Sequence, residues 1–156
     1  MLMNMKIIKE LEDLQGEMQE WRRDIHAHPE IAFEEHRTAQ IVADKLESLG
    51  IEVDTGIAGT GVVGTLRKGM GNRSIGLRAD LDALLINETN DFEYKSKTPG
   101  QMHACGHDGH TTMLLGAAKY LSEQGNFDGT VNFIFQPAEE NEGGGRVMIE
   151  DRLFDK

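Results

Sequence analysis

Cysteine is nearly absent from this chain. The 156 residues hold one, Cys105, so no disulfide can form within the polypeptide and the cytoplasm is the expected setting. Long apolar runs are missing as well. No window approaches the roughly 20 consecutive apolar residues of a membrane span, and the opening Met1-Leu2-Met3-Asn4-Met5-Lys6 has no uninterrupted apolar core of signal-peptide length. Basic residues are the minority, 16 Lys and Arg against 27 Asp and Glu. The formal charge of -11 repels phosphate backbones and anionic lipid, so neither nucleic acid nor a membrane surface suits this chain as a partner. There is no internal repeat and no low-complexity tract. An apolar share of 38% in a chain of this length fills one modest core.

What is present is periodic. Ile7, Ile8, Leu11, Leu14, Met18 and Trp21 recur every three or four residues and predict an amphipathic helix over 7–23, ended or bent by Pro29. His26 and His28, two apart, would point away from each other on a helix and read as a polar junction. A second helix is expected over 34–49, with Gly50 as its stop and His36 on its solvated side. Short β-branched runs bounded by glycines predict strands at 51–53 and 61–66, and the turn material at 68–72 predicts 74–79 as the hairpin partner of the latter. Residues 84–99 are irregular and polar, a long loop. A helix is predicted over 111–124 with Asp108 as its N-cap and Gly125 as its end, followed by a strand at 131–135 and a short helix from Arg146 to about Glu150.

Chemistry concentrates in one stretch, Met102-His103-Ala104-Cys105-Gly106-His107-Asp108-Gly109-His110, with three histidines, the single cysteine and an aspartate in nine positions. Thiolate and imidazole are accepted together by a borderline-soft divalent ion. A helix starting here would also lower the pKa of the thiol. Beyond the strand at 131–135, Glu139 and Glu140 offer adjacent carboxylates, one able to bind metal while the other handles protons. Asp80 and Asp82 lie just past another strand, where functional groups of α/β sheets gather. One cysteine is too few for a closed structural zinc site, so an open site built on Cys105, His107 and Glu140, with His103 or His110 in reserve, fits better. Two alternatives stay open: a thiolate nucleophile at Cys105 with a histidine base, and a non-catalytic module that binds one metal or pairs with a missing half as a split protein.

Three motifs in this order, Arg78-Ala79-Asp80-Leu81-Asp82-Ala83-Leu84, the stretch 102–110 and Gln136-Pro137-Ala138-Glu139-Glu140, resemble the hippurate hydrolase family of metallopeptidase-like amidohydrolases. Residues 22–30 are similar to that family's N-terminal signature. The resemblance implies an α/β fold of three layers, a mixed sheet with helices on both faces, here the N-terminal part of a catalytic domain whose C-terminal part and smaller dimerisation domain are absent. It implies hydrolysis of the amide bond of N-acyl amino acids, a small-molecule substrate, and a homo-oligomer for the longer family member. It also implies two divalent metal ions (zinc, manganese, cobalt or nickel), with Cys105 bridging them, His107 and Glu140 as further ligands and Glu139 as the general base toward a metal-activated water. Asp80 matches an aspartate that orients a histidine ligand, although Arg78 stands where that histidine would be. Two further histidine ligands of the family find no match after His110, so these 156 residues are expected to hold metal weakly and to be catalytically deficient.

Overall fold

The computed structural model describes residues 8–140, 142–151 and 153–155. Its elements follow the order α1 (Lys9–Asp13), α2 (Gln15–Ala27), α3 (His36–Ser48), β1 (Glu52–Ile57), β2 (Gly61–Lys68), β3 (Ser74–Asp80), α4 (His107–Gln124), β4 (Gly129–Gln136) and α5 (Gly144–Glu150). The first expected helix is two, α1 and α2, divided at Leu14, whose φ of -81° and ψ of -11° stay close to helical values. It runs on to Ala27, and His28 (φ -128°, ψ 61°) leaves the helical region just ahead of Pro29. Ile7 lies outside the described residues. Gly50, at φ 71°, takes the left-handed conformation that closes α3.

The four strands form one mixed sheet in the order β1-β2-β4-β3. This corrects the expected hairpin between β2 and β3. β4 lies between them, antiparallel to β2 with Leu66 opposite Val131, and parallel to β3 with Leu77 opposite Phe133. The turn at 69–73 arches over the start of β4 and is pinned there, the N–H groups of Met70 and Gly71 donating to Asp128 Oδ1 at 2.7 and 2.6 Å. The reason is burial. Val131, Phe133 and Phe135 are all buried and take an interior position, while Ser74, Ile75 and Gly76 of β3 stay exposed at the edge.

Helices cover both faces unequally. α3 and α4 lay Val42, Leu46, Leu115 and Ala118 against Val62, Phe133 and Phe135 to form the main core. On the opposite face a smaller cluster joins Ile57, Ala58 and Val63 to Met148 of α5. No helix among the described residues is long and apolar enough to cross a membrane. Phe133 is fully buried at the centre of the main core. Phe133→Ala is expected to cost about 3–5 kcal/mol of stability, read as a lowered urea midpoint.

Candidate metal centre

The sheet assembles the site through the parallel pair β3 and β4. Asp80 and Gln136 are register partners at the ends of these strands, and Leu81 N–H donates to the Gln136 carbonyl at 2.9 Å, so 80–82 and 137–140 leave the sheet side by side. The third contributor is the start of α4. Gly106 takes φ 90°, which lets the chain turn from the loop into the helix, and His107 is the first helical residue. Thr111 Oγ1 donates to the Asp80 carbonyl at 2.9 Å and ties the first turn of α4 to the end of β3.

His107 is the hub. Its Nδ1 lies 2.9 Å from the backbone carbonyl of Asp82 and 3.1 Å from Asp82 Oδ1, two acceptors that place the proton on Nδ1 and leave the Nε2 lone pair free. Nε2 faces three carboxylate oxygens: Glu140 Oε1 at 3.7 Å, Asp80 Oδ2 at 3.9 Å and Glu139 Oε2 at 4.0 Å. Donor atoms of Cys105, His107 and Glu140 all lie within 4.8 Å of one another, and so do those of Asp80, His107 and His110. A tetrahedral ion bound at about 2.0–2.3 Å separates its ligands by roughly 3.3–3.7 Å, and the 3.7 Å between His107 Nε2 and Glu140 Oε1 suits it. Glu140 Oε1 is buried and has no hydrogen-bond partner among the described residues, the condition of an acceptor awaiting a cation. The donor set of thiol, imidazole and carboxylate therefore fits a divalent metal.

Charge is arranged around this hub. Burial alone would raise the Asp82 carboxyl, but hydrogen bonds from His107 and from the N–H groups of Glu140 and Glu139 outweigh it and hold Asp82 below the ordinary carboxylate value. Burial likewise works against a charged His107, and the Asp82 carboxylate overrides it, raising the imidazole. Hydrogen bonding to Glu140, burial and the surrounding acids push the Cys105 thiol up to about 11. This corrects the expectation that the helix start would acidify the thiol: the nearby carboxylates dominate over a partial helix charge. Arg78 offsets part of the negative charge, its Nη2 against Asp80 Oδ1 and its Nε donating to Gln136 Oε1 at 2.7 Å.

Of the residues singled out from sequence, Cys105, His107, Glu139, Glu140 and Asp80 come together here. His110 approaches too, its Nδ1 3.5 Å from Asp80 Oδ2. Asp82, expected beside Asp80 past the strand end but given no specific role, orients the imidazole and also accepts the Glu140 N–H at 3.0 Å. The Asp-Leu-Asp spacing past a strand was the available signal, since alternate residues share a side. Asp108 is no N-cap. It sits inside the first turn, and its Oδ2 instead meets His26 Nδ1 and Arg22 Nε, both at 2.7 Å. His26 is thus a buried partner of α4, its Nε2 3.1 Å from Glu88 Oε1, while His28 Nδ1 bonds the Asp24 carbonyl. His103 is buried without a hydrogen-bond partner for either ring nitrogen among the described residues, and burial lowers it to about 4. His36 is exposed, as expected.

Comparison with known proteins follows the same lines. Residues 76–156, which carry all three motifs, match the pattern of peptidase family M20/M25/M40, and the chain belongs to that family. It is 56% identical over 152 residues to a hippurate hydrolase of Campylobacter jejuni, a match that covers 97% of this chain and 39% of that protein. Among solved structures, a protein of methicillin-resistant Staphylococcus aureus superposes with a TM-score of 0.90 at 40% identity over 98% of this chain and 41% of its own. The YXEP protein of Bacillus subtilis, described as a dinuclear metal binding peptidase from the M20 family, gives 0.87 at 38% identity over 92% and 41%. The chain thus spans about two fifths of the length of these relatives.

Asp82 and His107 also set a pH signature. With the carboxyl depressed and the imidazole raised, their mutual stabilisation is complete between the ordinary values of 3.8 and 6.5. It is lost as acid carries Asp82 down through its lowered value, and it fades as base carries His107 through its raised one. In the metal-free protein, Asp82→Asn is expected to lower the urea midpoint most near about pH 5, with the gap to the native chain closing toward both extremes.

Proposed function

We propose that residues 1–156 supply the N-terminal part of the catalytic domain of a metal-dependent amidohydrolase that cleaves the amide bond of N-acyl amino acids, hippurate or N-acetyl amino acids among them. The observation that carries the reading is the convergence of Cys105 and His107 with Glu140 from a separate segment, the free Nε2 of His107 facing a buried carboxylate oxygen that has no hydrogen-bond partner among the described residues. The likeness to a hippurate hydrolase and to a dinuclear metal binding peptidase supports the substrate class and the presence of metal.

In this reading Cys105, His107 and Glu140 hold the cation, with zinc, manganese, cobalt and nickel all compatible with the donors. A divalent ion so held supplies charge that polarises the amide carbonyl and acidifies water. The protein supplies the rest. Asp82 keeps the proton of His107 on Nδ1 and turns Nε2 into the site. Glu139, its side chain 41% exposed and its Oε2 beside the site, takes the proton of the attacking water and returns it to the departing amine. Arg78 steadies Asp80 and moderates the repulsion among the acids. A cysteine nucleophile is disfavoured, because a thiol raised to about 11 is protonated at neutral pH.

Cobalt(II) titration of the 156-residue chain, prepared without chelator, is expected to show thiolate-to-metal absorption with fewer than two ions bound tightly. Cys105→Ser should abolish that absorption. Hippurate hydrolysis by this chain should fall far below that of the Campylobacter hippurate hydrolase, and a comparable rate would refute this expectation. Where hydrolysis is measurable, Glu139→Gln should lower kcat by about 10²–10⁴-fold with cobalt affinity retained. Chelator should abolish the activity.

A further inference from the structure

Among the described residues three that are not glycine have positive φ: Phe33 (60°), Ala58 (52°) and Ala138 (52°). L residues avoid this region, so each needs something that holds it. Ala138 immediately precedes Glu139 and Glu140. Its N–H donates at 2.8 Å to Oε1 of Glu35, a residue 103 positions away that is fully buried just before α3. The other oxygen of Glu35, Oε2, accepts the hydroxyl of Thr60 at 2.5 Å. Backbone N–H groups of Glu35 itself and of Phe33 also point at this carboxyl. One interior side chain thus binds the left-handed Ala138 and lies beside the left-handed Phe33.

The turn has little room to choose another path. Gly144 N–H donates to the Ala138 carbonyl at 2.9 Å, and a Cβ on Gly144 would lie 1.8 Å from the Pro137 carbonyl oxygen, so α5 presses directly on the turn backbone. On its other side Asp82 accepts the N–H of Glu140. The segment bearing both acids is clamped between two interior carboxylates, Asp82 at the site and Glu35 behind it.

We propose that Glu35 is a positioning residue for this centre: by accepting the Ala138 N–H it holds the left-handed turn that aims Glu139 and Glu140 at His107. The inference rests on the metal-site reading above. What the role demands is an acceptor at the right reach; a negative charge is secondary. Burial raises the carboxyl, with the hydrogen bonds from Thr60 and the backbone opposing, so a neutral side chain of the same length is a fair replacement.

Two variants separate reach from charge. Glu35→Gln keeps the length and loses the charge, whereas Glu35→Asp keeps the charge and falls short by about 1.5 Å. Cobalt(II) titration of the 156-residue chain, followed by thiolate-to-cobalt and visible d–d absorption, is expected to give native bands and native affinity for Gln. Asp should bind about tenfold more weakly with altered d–d intensities, while the far-UV circular dichroism of both stays native. Native affinity and bands in Glu35→Asp, or a loss in Gln as large as in Asp, would overturn the proposal. If Glu35→Asp does not fold, Thr60→Val decides, since it keeps the shape and removes only the hydroxyl function that steadies Glu35: weaker cobalt binding supports the role and unchanged binding refutes it. Should the native chain take up no cobalt, the metal reading fails and Glu35 is judged by the Ala138 amide. Slow hydrogen exchange in the native chain and Gln that becomes fast in Asp, with the amides of β2 and β4 unchanged, supports the clamp; equal protection in all three rejects it.

Discussion

Asp82 binds the two sides of the centre to each other. Its carboxylate and backbone carbonyl both accept from His107 Nδ1, and its second oxygen accepts the N–H of Glu140. A residue just past the end of β3 thereby sets the imidazole at the start of α4 and the turn that follows β4. Taking this carboxylate out of water is costly, and the hydrogen bonds that converge on it recover the cost only when all the partners are present. The geometry is consequently interdependent: the imidazole presents Nε2 because Asp82 occupies Nδ1, and Asp82 stays ionised because the imidazole and the turn surround it.

The sheet makes that convergence possible. A parallel pair sends the chain out of the same edge twice, and the Asp80–Gln136 register brings 80–82 and 137–140 to equal depth. An adjacent β2–β3 hairpin would leave β3 and β4 apart, and the acids with them. The decisive element is the apolar strand Val131-Asn132-Phe133-Ile134-Phe135, whose burial drives it to the middle of the sheet between β2 and β3.

Behind the site lies a second layer of buried polar groups. Glu35 with Thr60 fastens the turn at Ala138. His26, between Asp108 and Glu88, fastens the long loop and α2 to the first turn of α4, and Arg22 shares Asp108 with it. These groups carry no chemistry of their own in the proposed reaction. They fix the backbone on which the reactive side chains stand, and strained residues such as Ala138 persist because such contacts over-determine them.

Sequence alone located nearly every element and the five side chains that meet at the centre, because helical periodicity, glycine punctuation and metal-ligand chemistry are local patterns. It also carried the family likeness, whose motifs lie in short contiguous stretches. Strand order, the work of Asp82, the partners of His26, the high pKa of the Cys105 thiol and the role of Glu35 were decided only by the tertiary structure. Each depends on groups tens of residues apart, 82 between His26 and Asp108 and 103 between Glu35 and Ala138, brought within hydrogen-bond distance by packing. A carboxylate in a sequence looks the same whether it will lie in water or beneath a turn, and burial is what separates the two.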